Sequence, residues 1–352
     1  MNKFLILLTL ILAATNLFAY EKTFSTITEA VNYTGEDKNI ITKITITGTI
    51  KGNDYSEGSE WRLFRTLDET FPNIEEVEIL TSQNIPNGDY TNGCLFNKHT
   101  YGPTYDLELK WLRTFIAKNI KRIGSYAFRT CQNLDSIYLP SVETIEFEAF
   151  AFSGITSICL ENVREIGACV FEYCKNLISV YLPVLTNMYH ILDADGNLSI
   201  TPSYATFGMC PSLRFVSIGT KLTKPTKIKI GDQIFGSNNY YTKQIDLVLG
   251  VNVSSPVPNL ISNTWLTICP SLSKEIYIWK SITIDSTVDV AEKEDSTYIY
   301  QINNKVFYIK NISLFELYDI FGKQINTYNN IEILDLNFLS SGIYFIRYSD
   351  GN

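Results

Sequence analysis

Two histidines, seven cysteines and a few paired carboxylates are the side chains of this 352-residue chain with the most chemical potential. His99 and His190 stand far apart, and neither has the Ser and Asp partners of a nucleophilic triad or the spacing of a zinc ligand set. Asp193-Ala194-Asp195-Gly196-Asn197 has the acidic alternation of a calcium loop. Its glycine falls too early, however, and Tyr204 stands where a bidentate glutamate is needed, so it reads as a polar turn. Glu75, Glu76 and Glu78 lie on a predicted strand whose outer face is expected to meet solvent, which makes them solubilising charges rather than an acid and base pair. There is no CxxC pair and no glycine-rich loop between a strand and a helix to cradle phosphate. A catalytic reading would need convergent acids, or an acid and a histidine, in the insertions 84–106 and 186–204.

The cysteines are better explained by where they recur. Cys131, Cys174 and Cys210 each follow a phenylalanine by three residues (Phe128, Phe171, Phe207), and Ser153 follows Phe150 in the same way. Phe128, Phe150 and Phe171 step by 22 and 21 residues, as do Ile123, Ile145 and Ile166. Leu112, Leu134, Ile155, Leu177 and Leu213 each open an apolar stretch in the same register. Ser136-Ile137-Tyr138-Leu139 alternates, so Ile137 and Leu139 share one face of a short strand while Ser136 and Tyr138 take the other. Ile158 with Leu160, Val180 with Leu182, and Val216 with Ile218 repeat the inward pair. Strands this short gain stability only by stacking edge to edge in a parallel ladder, and Pro140 and Pro183 then end the pairing. Phe128 and Cys131 are read as sharing the inner face of a short helical turn. Cys131, Cys174, Cys210 and Cys269 are therefore expected to be free thiols that pack in the core.

The pattern I-G-x-x-A-F-x-x-C-x-x-L-x-x-I-x-L-P resembles the BspA-like family of leucine-rich repeats, with Val142, Val163 and Leu185 where other classes carry asparagine. The match runs from about Leu112 to Ile218, with worn repeats around Ile41-Ile44-Ile46 and Ile74-Val77-Ile79 before it. Leu247 with Leu249 and Ile276 with Ile278 suggest two more after it. The resemblance implies a leucine-rich-repeat solenoid with one parallel β-sheet and short helical or irregular turns, and adhesion or ligand binding at a bacterial surface.

Composition sets the surroundings. A formal charge of -8 gives no reason to approach a phosphate backbone, so nucleic acid is not an expected partner. Residues 1–19 read as a signal peptide, with Lys3, an apolar run from Phe4 to Ala14 and a small residue at Ala19, and no span is expected in the mature chain. The degenerate repeats and the first insertion then occupy 20–111, the clear repeats 112–280 and a polar linker 281–297. Residues 298–352 alternate around turn residues, Gly322 and Gly342 among them, and are expected to form a small C-terminal β-sandwich. LYDIFGKQI and LDLNFLSSGIYFIRY resemble the C-terminal sorting domain of the type IX secretion pathway of the Bacteroidetes, which implies secretion machinery as a partner. The chain stops at Asn352, short of the basic final strand of that family. Asp285-Ser286-Thr287 and Asp295-Ser296-Thr297 resemble the phylum's O-glycosylation signal.

The expected site is surface rather than chemistry. On the outward side of the strands lie Ser136 and Tyr138, Ser157 and Cys159, Ser179 and Tyr181, Phe215 and Ser217, where tyrosine offers contact area at small entropy cost. A second candidate is the loop carrying Tyr90, Phe96, His99, Tyr101 and Tyr105. The expected partner is an extracellular protein or glycan, with no cofactor and no metal, and the expected location is outside the cell or on its outer surface. The competing readings are a surface enzyme using the two insertions and a structural spacer.

Overall fold

A computed structural model describes residues 5–6, 20–88, 95–96, 111–188, 205–230, 244–254, 257, 279–285, 298–301, 306–310, 313–318, 323–329, 331, 333–336, 339 and 345–349. The chain divides into two units: residues 21–289, and residues 290–352 together with 1–20.

The larger unit is built on short strands: β1 (Tyr20–Phe24), β2 (Ile41–Ile46), β3 (Glu76–Ile79), β4 (Thr114–Ala117), β5 (Ser136–Tyr138), β6 (Ser157–Cys159), β7 (Ser179–Leu182), β8 (Phe215–Ile218), β9 (Ile245–Gly250) and β10 (Trp279–Asp285). Strands β2 to β5 form one parallel run with β1 beside β2, and β6 to β10 form another. The single sheet expected from the pattern is thus interrupted between β5 and β6. The interruption coincides with a shortened repeat, since Phe150 precedes Ile155 by five residues whereas Phe128 precedes Leu134 and Phe171 precedes Leu177 by six. One residue fewer between turn and strand alters how the strand meets its predecessor. What bridges the gap is a pair of backbone bonds, Gly154 N to Cys131 O at 3.1 Å and Thr156 N to Asp135 O at 3.4 Å. Residues 281–285, assigned to a linker by composition, belong to β10 and pair with β9.

The inward alternation holds throughout. Ile44, Val77, Phe115, Ile137, Ile158, Val180, Val216 and Leu247 are buried in one continuous core. Phe128, Phe150, Phe171 and Phe207 stack with ring centroids 4.9, 5.7 and 5.6 Å apart and planes within 10° of parallel. At the beginning of the unit Thr26 caps the helix Ile27–Val31, its Oγ1 accepting from Glu29 N at 3.0 Å.

The isoleucine column is a second parallel ladder of two-residue strands: Arg122–Ile123, Thr144–Ile145, Glu165–Ile166, Asn187–Met188 and Lys229–Ile230. Gly124 permits a close approach here, because a Cβ on it would meet Pro86 O at 2.2 Å.

The short helical turn expected at Phe128 and Cys131 is something else. Cys131 N does bond Phe128 O, but Thr130 between them has a φ of 64°, and Phe152, Tyr173 and Met209 repeat that left-handed conformation. Tyr126, Glu148 and Cys169 form a second left-handed column four residues earlier. Such turns aim alternate N–H groups at the next repeat: Phe128 N reaches Ala149 O at 2.7 Å, Phe150 N reaches Val170 O at 2.9 Å and Phe171 N reaches Thr206 O at 2.9 Å. An α-helix would bond its own backbone and leave the neighbouring repeat unpaired.

The smaller unit contains two antiparallel sheets. One places Val306–Lys310 between Tyr298–Gln301 and Ile333–Asp335; the other runs Gln324–Asn329, Leu314–Tyr318, Phe345–Ser349 and Leu5–Ile6. Phe315, Leu317, Leu334, Leu336 and Leu339, drawn from both, share one apolar cluster. Gly322 and Gly342 lie outside the described residues, as do Ser286, Thr287, Ser296 and Thr297.

Candidate functional site

The strand register fixes which side chains share the outward face. Lys43 lies opposite Glu76 and Thr45 opposite Glu78; these continue to Thr114 and Ile116, and then to Ser136 and Tyr138. Beyond the gap, Ser157 and Cys159 align with Ser179 and Tyr181, then Phe215 and Ser217, Asp246 and Val248, and Ser281 and Thr283. Within each run the side chains of the proposed contact column align as expected, but the column is broken between Tyr138 and Cys159 and its exposure is not as expected. Ser136, Ser157, Ser179 and Ser217 are buried, and Tyr181 is only 4% exposed with the Lys221 ammonium 6.0 Å from its ring centre. Tyr138, Cys159, Phe215 and Val248 remain half-buried. No ladder joins Tyr138 to Cys159, so an even spacing of Tyr138 and Tyr181 across one intervening strand does not follow from the pairing.

Charged groups flank this column on both sides. Glu76 and Glu78, expected at a solvent edge, are buried and clasped by Lys43, whose Nζ lies 3.0 Å from each. Lys118 adds a contact to Glu78 at 2.9 Å. Burial disfavours the Lys43 charge, but the two carboxylates outweigh it and hold the ammonium above its usual range. Burial likewise opposes the Glu78 charge, and donation from Lys118 and the Lys43 charge overcome it, so Glu78 is lowered. At the far side Asp246 accepts from Ser281 Oγ at 2.6 Å and from Lys280 Nζ at 3.1 Å.

The loop candidate divides. Phe96 is fully buried, packing on Phe64, Trp111, Phe115 and Phe128, so it extends the aromatic core instead of meeting a ligand. Tyr90, His99, Tyr101 and Tyr105 lie outside the described residues, as do His190, Asp193, Cys94 and Cys269.

The cysteine column is better defined than expected. Cys131, Cys159, Cys169, Cys174 and Cys210 are all free thiols. Two of those at the Phe+3 position are donors as well as small fillers: Cys174 Sγ donates to Phe150 O at 3.2 Å and Cys210 Sγ to Phe171 O at 3.1 Å. Burial pushes the Cys174 thiol up to about 12. A buried thiol held so firmly protonated is no nucleophile.

One constellation escaped the sequence reading. On the turn edge, Arg129, Glu148, Cys169 and Glu172 come together from three successive repeats. Arg129 Nε meets Glu148 Oε2 at 2.5 Å, and its guanidinium lies 4.9 Å from the Phe152 ring centre. The Phe152 ring stacks on Tyr173 at 4.5 Å, so both aromatic faces in this ladder are occupied by the protein itself. Burial raises the Cys169 thiol far above its usual range, with Glu172 and Glu148 adding to the effect. Two acids do converge here, yet one is committed to Arg129 and the thiol beside the other stays protonated, which supplies no nucleophile. The sequence signal was the repeat spacing read at turn positions: Glu148 and Cys169 stand 21 residues apart, and Arg129 and Glu172 stand 43 apart, one step of 22 and one of 21.

Among the described residues, no group of three or more His, Cys, Asp or Glu side chains could hold a metal ion, and no helix is long and apolar enough to cross a membrane.

Residues 108–240 match the family model described as BspA type leucine rich repeat region, in six copies. The parallel ladders of the larger unit fit a leucine-rich-repeat fold. No curated protein matches the chain. One solved structure, a leucine rich cell surface protein from Faecalibacterium prausnitzii A2-165, is 14% identical over 75% of this chain and 83% of that one, with a TM-score of 0.27.

Proposed function

We propose that this chain is an exported surface protein that binds an extracellular protein or glycan through the outward face of its central repeats, without catalysis. The observation that carries this reading is the outward face of the two strand runs, on which half-buried Tyr138 in one run and Cys159 and Phe215 in the other stand beside buried serines, with ion-paired strands at the outer sides. Aromatic area on a rigid backbone is the usual core of a contact surface, and fixed charges around it favour one orientation of the partner. The same reading takes the repeats as a solenoid and residues 1–19 as the export leader. It takes the two sheets of the smaller unit as a sandwich that engages the secretion machinery, and residues 286–297 as a linker open to O-glycosylation.

The test is a panel of glycans and matrix proteins probed with wild type and with a Tyr138→Ser, Phe215→Ser double variant. A loss of about 1 to 3 kcal/mol in binding with unchanged melting temperature is the expected result. Binding that survives the double variant but fails on substitution of Tyr101 and Tyr105 would move the reader to the 84–106 loop. No binding by either protein across the panel would leave the spacer reading as the better one.

A further inference from the structure

The junction between β5 and β6 lacks two ties that the junctions after it possess. On the sheet side, β6 and β7 face each other over three residue pairs, from Ser157 with Ser179 to Cys159 with Tyr181, whereas β5 and β6 share none. In the turn, the Phe+3 side chain of the later repeats reaches back to the repeat before, Cys174 Sγ to Phe150 O and Cys210 Sγ to Phe171 O. Here that position is Ser153. Its hydroxyl lies 3.4 Å from Cys174 Sγ in the following repeat and, among the described residues, makes no bond back to Phe128 O. The sheet side is left with the two bonds at the strand entry, from Gly154 N and Thr156 N, and with Asn162 Nδ2 donating to Pro140 O at 2.6 Å at the exit.

The remaining connections across the same junction are complete. On the turn edge Phe128 N reaches Ala149 O at 2.7 Å and Thr130 N reaches Ala151 O at 2.8 Å. In the second ladder Arg122–Ile123 pairs with Thr144–Ile145. Between them the Phe128 and Phe150 rings stack at 4.9 Å with planes 3° apart. Two bodies joined along one side and unpaired along the other have one easy motion, a rotation about the joined side.

We propose that this junction is a one-sided joint, at which the two strand runs open and close on the sheet side while the turn edge, the second ladder and the phenylalanine stack serve as the hinge.

Tyr138 and Cys159 stand on the two lips of the joint, so its angle sets how the two parts of the outward face are presented. The inference concerns the backbone and holds whether or not that face binds a ligand.

The test is amide hydrogen exchange on the intact chain, because local opening is read where backbone bonds are few. Peptides spanning 155–160 should exchange on the order of tenfold faster than those spanning 177–182, while those spanning 144–151 on the hinge side keep their protection. An asparagine inserted between Ser153 and Gly154 restores the six-residue spacing of the neighbouring repeats and should slow exchange over 155–160 to the level of 177–182. Should that variant misfold, Ser153→Cys serves instead: it returns a thiol to the position that ties the later repeats, and should slow exchange over 155–160 several-fold without altering 213–218. Equal protection of 155–160 and 177–182 in wild type overturns the proposal. So does exchange over 144–151 as fast as that over 155–160, which would mean a loose repeat rather than a hinge. Exchange over 155–160 that the folded insertion variant, or Ser153→Cys in its place, leaves unslowed overturns it as well.

Discussion

The sheet side and the turn edge of the repeats solve one problem by opposite means. Both must bond every repeat to the next through the backbone. The sheet side does so with extended residues whose inward and outward alternation is ordinary strand chemistry, and its buried acids are matched by Lys43 and Lys118. The turn edge does so with residues in the left-handed region, among them Thr130, Phe152 and Tyr173. Each such non-glycine residue costs about 1 to 2 kcal/mol of backbone strain, which only the bonds to the neighbouring repeat can offset. The difference teaches that regular spacing in a sequence does not imply regular secondary structure.

The largest expected effect lies where the two sides meet. Phe150 stacks between Phe128 and Phe171, so Phe150→Ala should cost about 3 to 5 kcal/mol in urea melts; a loss under about 1 would show that the column is not shared between the sides.

Next comes the sheet side alone. Lys43→Ala leaves the buried carboxylates of Glu76 and Glu78 without the ammonium they share, with Lys118 still on Glu78, and about 2 to 4 kcal/mol should be lost at neutral pH. The Glu78 carboxyl is lowered in the folded chain, so the wild-type stabilisation is present above its ordinary value of 4.5 and lost as pH falls. The variant should therefore show a flatter acid limb in melting temperature against pH. An acid limb identical to wild type would mean that Lys43 is not the partner that matters.

A smaller effect separates two explanations of the cysteine column. If Cys174 only fills space, Cys174→Val should be mild and Cys174→Ser costly. If its Sγ also serves Phe150 O, Cys174→Val should lose about 1 to 3 kcal/mol and Cys174→Ser less. The melting temperatures of the two variants decide it by their order.

The smallest effect sharpens the contrast most directly. Thr130→Gly should be neutral or stabilising by up to about 1 kcal/mol, because glycine adopts positive φ freely. Thr114→Gly, in an extended strand, should cost roughly 0.5 to 1 kcal/mol. Equal signs for the two would remove the distinction between the regions.

Much of the larger unit was legible because burial repeats with the chain. Ile137 and Leu139, and the aromatic step from Phe128 to Phe171, mark the core by type and spacing alone. The left-handed turns were not legible, because Thr, Phe and Tyr at those positions carry none of the glycine signal that normally announces positive φ. Nor was the break after Tyr138, which shows in the sequence only as one missing residue. For the candidate face, the strand alternation gave direction but not exposure: Ser157 and Ser179 point outward and are still covered, since small side chains between larger neighbours are shielded by them. Phe96 stands in a long stretch rich in Gly, Asn and Pro that reads as a loop, while its neighbours in space are aromatic.

The aromatic stack also bears on how such a chain can change over time. Phe171 and Phe207 are 36 residues apart, yet their rings sit 5.6 Å apart, much as those of Phe150 and Phe171 do across 21. The rungs are thus indifferent to the length of chain between them. Each doubling of a connecting loop adds only about 0.6 kcal/mol of closure entropy, little enough for one good side-chain contact to offset. New segments can therefore be spliced into the seams while the ladder keeps its register, which lets the connections change in length at small cost to the scaffold.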